Sequence, residues 1–285
     1  MVGNIEGYLP KTLNGALQIL GSEDVTVYAG GTDLMVRYKN ETSLLPKFEK
    51  NLLYIGQIKE LQKVDENEDE IIIGVGCTLA SLIREESVPE VLKKALRGAA
   101  SPAIRNMGTI GGNICNASPA GDTLPVLYAL NCKCSIVSEG SERIVSIEDF
   151  IHGPRRTDLE KNEMLKSIII PKEDFNIVHY EKVGARKASA ISKLSFTGLC
   201  QVKDGIVEDI RLAFGAVGAT VIRIKEAEKI IAGRKIEEID DAVREAVSIY
   251  DKNINPIDDQ RSTAEYRKNV AMNLLNYYLN VEIRK

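Results

Sequence analysis

Two glycine pairs, each followed or preceded by a hydroxyl side chain, are the features of this sequence best suited to holding an anionic ligand. The first lies in Val27-Tyr-Ala-Gly-Gly-Thr-Asp-Leu34, where a predicted strand runs into Gly30 and Gly31. Glycine adopts positive φ and lets a ligand approach the backbone closely, and successive N–H groups in such a turn form an anion-binding concavity. Thr32 adds a hydroxyl donor. The alternative is an ordinary turn between a strand and a helix.

The second pair lies in Thr109-Ile-Gly-Gly-Asn113, and the same stretch continues to Asp122. The Asn113 amide can donate or accept near a phosphate or sugar, and the Asp122 carboxylate, an acceptor only, suits ribose or ribityl hydroxyls. The alternative is a buried loop in which these side chains merely hold turns. Two such segments in one domain favour a large diphosphate ligand held from both sides.

Two common phosphate-binding motifs are excluded. Gly74-Val-Gly-Cys-Thr-Leu79 begins like the dinucleotide fingerprint, but Leu79 stands where the third glycine is required. The phosphate-loop pattern G-x-x-x-x-G-K-[ST] does not occur. A nucleotide would therefore be bound by another fold.

The composition and net charge of the chain argue against several classes of protein. The 285 residues carry 37 basic and 41 acidic side chains, a net charge of −4, which argues against a nucleic-acid-binding protein. No apolar run is long enough for a membrane helix and no signal peptide is visible. The five scattered cysteines fit a reducing, cytoplasmic compartment. With two histidines and Cys132-Lys-Cys134 lacking the usual two-residue gap, no metal site is expected.

The order of elements predicts an α+β protein with a boundary near 171–176. Residues 98–125 show no sustained period and are expected to form a packed irregular loop. Asp204-Gly205 between two apolar runs predicts a hairpin. Helices are predicted at 13–20, 87–98, 222–232, 239–250 and 263–279, and strands at 25–28, 71–73, 134–138, 143–147, 167–170, 194–203 and 206–214.

Taken together, these motifs resemble the FAD-binding subunits of the xanthine dehydrogenase and carbon monoxide dehydrogenase family. The resemblance rests on Ala29-Gly-Gly-Thr-Asp-Leu34, on Thr109–Asn113 and on Asn116-Ala-Ser-Pro-Ala-Gly-Asp-Thr-Leu-Pro125. It continues through Gly153-Pro-Arg-Arg-Thr-Asp158, Tyr180-Glu-Lys-Val-Gly184 and the segment 259–268, and so covers nearly the whole chain.

The resemblance implies a two-subdomain FAD-binding fold of the vanillyl-alcohol-oxidase (PCMH) type and a small C-terminal α+β domain. The FAD-binding domain would span 1–172, with subdomains of about 1–56 and 57–172, and the C-terminal domain would span 176–285. The implied partners are a small subunit with [2Fe–2S] clusters and a large molybdopterin subunit, in a higher-order hetero-oligomer. Electrons would pass from the clusters through FAD to NAD or another acceptor.

The resemblance also assigns site residues. The first segment would wrap the FAD diphosphate, the second would hold its other side, and Asp122 would bond ribityl or sugar hydroxyls. Leu165 matches a leucine near the flavin and Lys182 a lysine near the cofactor; the alternatives are a core leucine and a surface charge. No catalytic acid or base is expected. The first two segments comprise Val27, Tyr28, Ala29, Gly30, Gly31, Thr32, Asp33 and Leu34, with Thr109, Ile110, Gly111, Gly112 and Asn113.

Some features depart from particular relatives and leave alternatives open. The loop 183–193 carries Arg186, Lys187 and Lys193 but no acidic residue, so the acceptor stays open. The main alternative is a stand-alone flavin oxidase of the vanillyl-alcohol-oxidase superfamily, and another is a binding module that has lost its cofactor. The substrate oxidised at molybdenum, whether a purine, nicotinate, an aldehyde or CO, would be decided on another chain.

Overall fold

The computed structural model describes residues 5–39, 46–187 and 189–285, which fall into two units. The first comprises Met1–Val88, Ser101–Ala117 and Cys132–Pro171, and the second Pro89–Ala100, Ser118–Asn131 and Lys172–Lys285. Two segments that the sequence division assigned to the first domain, 89–100 and 118–131, thus group with the second unit. Within the described ranges, no helix has both the length and the apolar character needed to cross a bilayer.

A small parallel sheet begins the first unit. Its strands β1 (Gly7–Tyr8), β2 (Val25–Tyr28) and β3 (Asn51–Tyr54) are ordered β1-β3-β2. Helix α1 (Leu13–Ser22) starts where the Thr12 hydroxyl accepts a hydrogen bond from the N–H of Gly15, and it buries an apolar face. It extends two residues beyond the predicted range of 13–20. A single helical turn, α2 (Leu34–Arg37), follows β2.

A five-stranded antiparallel sheet forms the rest of the first unit's framework. Residues 67–69 connect the first two strands of this sheet as an antiparallel hairpin, and two further short strands pair separately from it. The sheet order is β4-β5-β10-β6-β7. The strands are β4 (Val64–Glu66), β5 (Glu70–Gly74), β6 (Lys133–Ser138), β7 (Ser141–Ser146), β8 (Ile151–Gly153), β9 (Arg156–Thr157) and β10 (Met164–Pro171).

The stretch 98–125 is not an irregular loop, and that prediction was wrong. It contains short helices whose starts are fixed by side-chain caps: Ser101 accepts from Ile104 N–H and Thr109 accepts from Gly112 N–H. Helices of six residues are too short to show a 3.6-residue period in the sequence. The helices between residues 79 and 150 are α3 (Leu79–Arg84), α4 (Glu90–Gly98), α5 (Pro102–Met107), α6 (Ile110–Cys115), α7 (Leu124–Ala129) and α8 (Ile147–Phe150).

The second unit packs helices on an antiparallel sheet ordered β11-β12-β13-β14, as the α+β prediction requires. Asp204 and Gly205, with φ of 51° and 74°, make the predicted hairpin. Ile222 was predicted to be helical but lies in a strand. The elements are β11 (Ile177–Val183), β12 (Leu194–Lys203), β13 (Ile206–Gly215), β14 (Ile222–Arg223), α9 (Lys225–Ile231), α10 (Asp240–Asn253) and α11 (Ala264–Tyr277), which runs into a π-helical turn (Tyr278–Glu282).

Two buried arginines of the second unit hold the C-terminus of α7. Arg211 donates to the carbonyl of Ala129 (3.1 Å) and Arg223 to that of Tyr128 (2.6 Å). The last carbonyls of a helix have no partner within it, so these donors satisfy them. Arg223 is itself paired with Glu228 at 2.9 Å, both side chains being less than a tenth exposed. The segment that carries Asp122 is thereby anchored to the sheet.

Replacing Arg223 by Met should lower the free energy of unfolding by about 3–5 kcal/mol, because it leaves the buried Glu228 carboxylate without its cation. Urea unfolding followed by circular dichroism measures the change. Arg244→Met is the matched control, since its partner Asp241 is exposed, and should change stability by less than about 0.5 kcal/mol. Equal losses in the two variants would contradict the assignment.

A second ion pair links α11 to the loop before it. Arg267, 4% exposed, donates to Asp259 (2.5 Å) and to the carbonyl of Ala216 (3.2 Å). Burial acts to raise the pKa of Asp259, but hydrogen bonds from the Arg261 backbone N–H and from Arg267 outweigh it and lower the pKa to about 2. The folded state therefore favours the ionised carboxylate.

Because the pKa of Asp259 is lower when folded than the 3.8 typical of an aspartate, its stabilisation is complete above about pH 5 and is lost as pH falls towards 2. The melting temperature of wild type should exceed that of Asp259→Asn at pH 7, and the gap should narrow from pH 5 to pH 3. Differential scanning fluorimetry tests this. A gap that is constant with pH would show that Asp259 contributes no linkage.

Candidate functional site

The first glycine segment is a tight turn between β2 and α2 in which neither glycine can be replaced without displacement. Gly31 has φ of 69°, and a Cβ there would lie 1.9 Å from the hydroxyl oxygen of Tyr28. A Cβ on Gly30 would lie 2.0 Å from the carbonyl oxygen of Met107. Gly31 is therefore needed for its positive φ and its lack of a side chain. Gly30 is needed because the backbone of Met107 approaches it closely.

The two predicted segments meet within the first unit. The turn at Gly30 packs on Met107 and Gly108, and a Cβ on Gly108 would lie 3.3 Å from the Thr32 hydroxyl oxygen. Thr109, the first residue of the second segment, follows directly. It also forms a bridge with Thr78, which lies just ahead of α3. The fold thus brings 27–34 and 109–113 to one place.

The second segment uses its main-chain donors within the protein. Gly112 N–H and Asn113 N–H bond to the hydroxyl and carbonyl of Thr109, at 3.1 and 3.0 Å. Ile110 N–H bonds to the carbonyl of Cys77 (3.0 Å), and Gly111 N–H to that of Val75 (3.1 Å). The amides of this segment are therefore used in hydrogen bonds within the protein.

The first segment differs in its backbone hydrogen bonding. The N–H groups of Gly30, Gly31 and Thr32 donate no hydrogen bond to any residue in the described ranges. Gly31 is buried, and a buried N–H group without an acceptor is costly, so such groups are nearly always satisfied. Three successive donors of this kind fit the phosphate oxygens of an anionic ligand.

Leu165 lies on β10 and is 3% exposed. The pairing of β10 with β6 shifts register between Leu165 and Ser167, which places a bulge beside it. A bulge redirects neighbouring side chains, but burial in the sheet is also the ordinary position of a core leucine.

The remaining predicted residues, Asp122 and Lys182, form a buried ion pair in the second unit. Lys182 Nζ lies 2.6 Å from Asp122 Oδ2, and the two side chains are 13% and 11% exposed. Lys182 also donates to the carbonyl of Gly98 at 2.9 Å. Ser192 donates its hydroxyl to Asp122 Oδ1 at 2.6 Å, and Tyr180 donates to the Asp122 carbonyl at 3.2 Å. Lys182 is therefore a buried cation and not a surface charge.

Burial governs the ionisation of this cluster. It raises the pKa of Asp122 above the ordinary value, and the neighbouring Lys182 and Ser192 offset only part of that. Burial likewise raises the pKa of Tyr180 well above the value of a free phenol, so its hydroxyl stays protonated and acts as a donor. The carboxylate thus depends on its donors to remain charged.

Sequence reasoning missed Ser192, and it named Asp122 and Lys182 without pairing them. One signal was available: Tyr180 and Lys182 are two apart on a strand and therefore point to the same face, where both reach one neighbour. Nothing in the local sequence marks Ser192, because its partner is seventy positions away.

The thiols have no reactive environment. Desolvation raises the pKa of Cys115, the cysteine of the second segment, to about 12, so it is a neutral thiol at pH 7. Across residues 5–39, 46–187 and 189–285, no three His, Cys, Asp or Glu side chains come together in a group that could hold a metal ion.

Comparison with known families decides what this arrangement is. Residues 3–173 match the family model described as the FAD binding domain in molybdopterin dehydrogenase. Residues 179–281 match the CO dehydrogenase flavoprotein C-terminal domain. The chain belongs to the FAD-binding subunits of the molybdopterin dehydrogenases. The description of that family model names FAD as the ligand of the domain.

Individual relatives agree along the length of this FAD-binding subunit. It is 33% identical to the glyceraldehyde dehydrogenase medium chain of Sulfolobus acidocaldarius, over 92% of each chain. It is 30% identical to the xanthine dehydrogenase FAD-binding subunit of Escherichia coli O157:H7, over 90% of this chain and 88% of that one. A carbon monoxide dehydrogenase chain from Hydrogenophaga pseudoflava superposes with a TM-score of 0.88 at 26% identity, covering 100% of this chain and 99% of that chain. The predicted family and fold class are confirmed.

Replacing Gly31 by Ala should strip the subunit of FAD, because the new Cβ meets Tyr28 and displaces the turn that carries the unpaired amides. The measurement is the ratio of flavin to protein absorbance after gel filtration, which should fall by about tenfold or more if FAD binding weakens by well over the roughly 1.4 kcal/mol that corresponds to a tenfold change in Kd.

Gly140→Ala is the matched control. Gly140 also has positive φ, 79°, but no atom lies within 4 Å of a Cβ built there. Both variants bear the conformational strain of a left-handed alanine, and only Gly31→Ala should lose flavin. Equal flavin loss in both, with native circular dichroism, would show that backbone strain and not the Tyr28 contact is responsible.

Proposed function

We propose that this chain is the electron-transfer subunit of a molybdenum hydroxylase, passing electrons from [2Fe–2S] clusters of a partner subunit through FAD to NAD or another acceptor. The observation that carries the proposal is the run of three N–H groups at Gly30, Gly31 and Thr32, unpaired within the described ranges and set against the second glycine segment. Membership of the FAD-binding family identifies the anion they would meet.

The roles of the residues follow from which groups are available. Gly30, Gly31 and Thr32 would bind the diphosphate through the backbone, and the rest of Val27–Leu34 would shape that turn. Thr109–Asn113, which packs next to that turn, would hold the other side of the diphosphate. We assign Asp122 to the ribityl or sugar hydroxyls, Lys182 to holding that carboxylate beside the cofactor, and Leu165 to the apolar surroundings of the flavin.

Bound FAD would supply the redox chemistry itself, since accepting and releasing electrons is a property of the flavin. The protein's contribution is to bind, to orient and to set the electrostatic surroundings. No side chain of the cluster is required as a proton donor or acceptor. The buried Lys182 favours negative charge nearby, and its pairing with Asp122 limits that effect.

The partners are inferred from the relatives. Their names describe medium chains or FAD subunits of dehydrogenases for glyceraldehyde, xanthine and nicotinate. We propose a small [2Fe–2S] subunit and a large molybdopterin subunit as partners, in a cytoplasmic hetero-oligomer. Since such similar subunits serve different substrates, the substrate would be selected on the large subunit. The domain division at 172–176 remains part of this proposal.

The chain purified alone should be yellow, or should become so on adding FAD to the apoprotein, with about one flavin per chain. Heat or acid denaturation followed by filtration should release the flavin, because the predicted contacts are non-covalent. The holoprotein should reduce a dye with NADH as the donor. Flavin absorbance, filtrate fluorescence and dye reduction are the three measurements.

The outcomes separate the alternatives. A folded chain that binds no FAD would defeat the proposal. Flavin that stays attached after denaturation would favour a self-contained flavin oxidase with a tethered cofactor. Tight FAD binding without NADH-dependent dye reduction would retain the FAD role and replace NAD by another acceptor.

A further inference from the structure

Ser192 is hydrogen-bonded to Asp122, one of the side chains of the proposed cofactor site. It is fully buried, and its hydroxyl donates to Asp122 Oδ1 at 2.6 Å. The other carboxylate oxygen, Oδ2, is bound by Lys182 at 2.6 Å. Each oxygen of an ionised carboxylate has two lone pairs, so each keeps one acceptor site for a further donor.

We propose that Ser192 is a positioning residue for FAD binding, which holds the Asp122 carboxylate in the plane where its remaining lone pairs accept hydroxyl groups of the cofactor's ribityl or ribose chain. This inference rests on the proposed function, because it concerns how the Asp122 carboxylate is presented to FAD.

Lys182 cannot fix that plane by itself. An ammonium group is a compact charge on a flexible stem, with rotatable donors that attract either carboxylate oxygen. The terminal torsion of an aspartate has a broad, two-fold preference. A second donor on the opposite oxygen removes that freedom. Ser192 supplies it, and its hydroxyl, on the short side chain of a residue two positions before β12, has little freedom of its own.

Ser192 also helps keep Asp122 ionised. Burial raises the pKa of Asp122, whereas the hydrogen bonds from Lys182 and Ser192 lower it. Removing one of these donors must raise the pKa further. A carboxyl group that gains a proton loses acceptor capacity, so FAD binding should weaken as pH falls through this pKa.

The chain offers a matched control three residues further on. Ser195 is also fully buried, but its hydroxyl oxygen has no hydrogen-bond partner among the described residues. Ser195→Ala therefore removes the same group from a similar environment without touching Asp122. Ser192→Thr keeps the hydroxyl, and Ser192→Cys keeps a small, unbranched side chain while supplying only a weak donor.

The experiment titrates the full-length apoprotein with FAD and, separately, with FMN, following flavin fluorescence between pH 5 and pH 8. Ser192→Ala should weaken FAD binding about tenfold at pH 7, the equivalent of about 1.4 kcal/mol, and should move the acid limb of the affinity profile to higher pH. Ser192→Thr should recover most of the affinity, Ser192→Cys should fall between, and Ser195→Ala should match wild type.

The FMN titration identifies the hydroxyls, because FMN carries the ribityl chain but not the ribose. A Ser192→Ala loss seen with both flavins assigns the ribityl hydroxyls, and one seen with FAD alone assigns the ribose. Either supports the proposal. Ser192→Cys decides the matter if the alanine variant lacks a cooperative thermal transition.

Two results would overturn the inference and are distinguishable from failure of the proposed function. If wild type and Ser192→Ala bind FAD equally well and with the same pH profile, the positioning role is refuted but the proposed function is not. Equal losses in Ser192→Ala and Ser195→Ala also refute it, since the effect would then be one of packing. Folded wild type that binds no flavin contradicts the proposed function and this inference together.

Discussion

Pairing of buried charge is the constraint on which the second unit depends. An isolated ion removed from water costs several kcal/mol, so a buried charge persists only where a partner and further hydrogen bonds compensate it. Arg211, Arg223 and Arg267 each meet a carboxylate and also a backbone carbonyl from elsewhere in the chain. Lys182 does the same with Asp122 and Gly98. Each of these cations therefore joins segments distant in sequence through its carbonyl contact, and the cost of unpairing it makes the arrangement of the unit specific.

The candidate site of the first unit would meet an anion differently, because it offers backbone N–H donors and not cationic side chains. Backbone N–H groups in a fixed turn lose no side-chain entropy on binding, and their geometry is set by the glycines before any ligand arrives. A cation there would remain charged in the empty protein and would need its own partner. Neutral donors avoid that need, at the cost of leaving Gly31 N–H without an acceptor among the described residues.

Much of this could be predicted from the sequence, and the failures have physical causes. Strands and long helices were found because apolar residues repeat at their periods, and the Asp204-Gly205 hairpin because its φ values demand those residues. The helices within 98–125 escaped because each is shorter than two turns. The candidate site residues were predicted from the glycine motifs and the family resemblance. Their pairing was not predicted, because Ser192, Lys182 and Gly98 reach Asp122 or its partner only through the tertiary fold.

The two glycine pairs show why a motif cannot be interpreted without its hydrogen bonds. Both read as Gly-Gly beside threonine, yet in the second the threonine caps a helix and Gly111 lets that helix approach Val75, where a Cβ would lie 2.4 Å from the valine Cβ. The amides of the second segment are hydrogen-bonded within the protein. In the first, Gly30 makes the equivalent close approach to Met107, and the amides are left over. The same Gly-Gly pattern therefore has two structural roles, a hydrogen-bonded helix start in the second segment and a turn with unpaired amides among the described residues in the first.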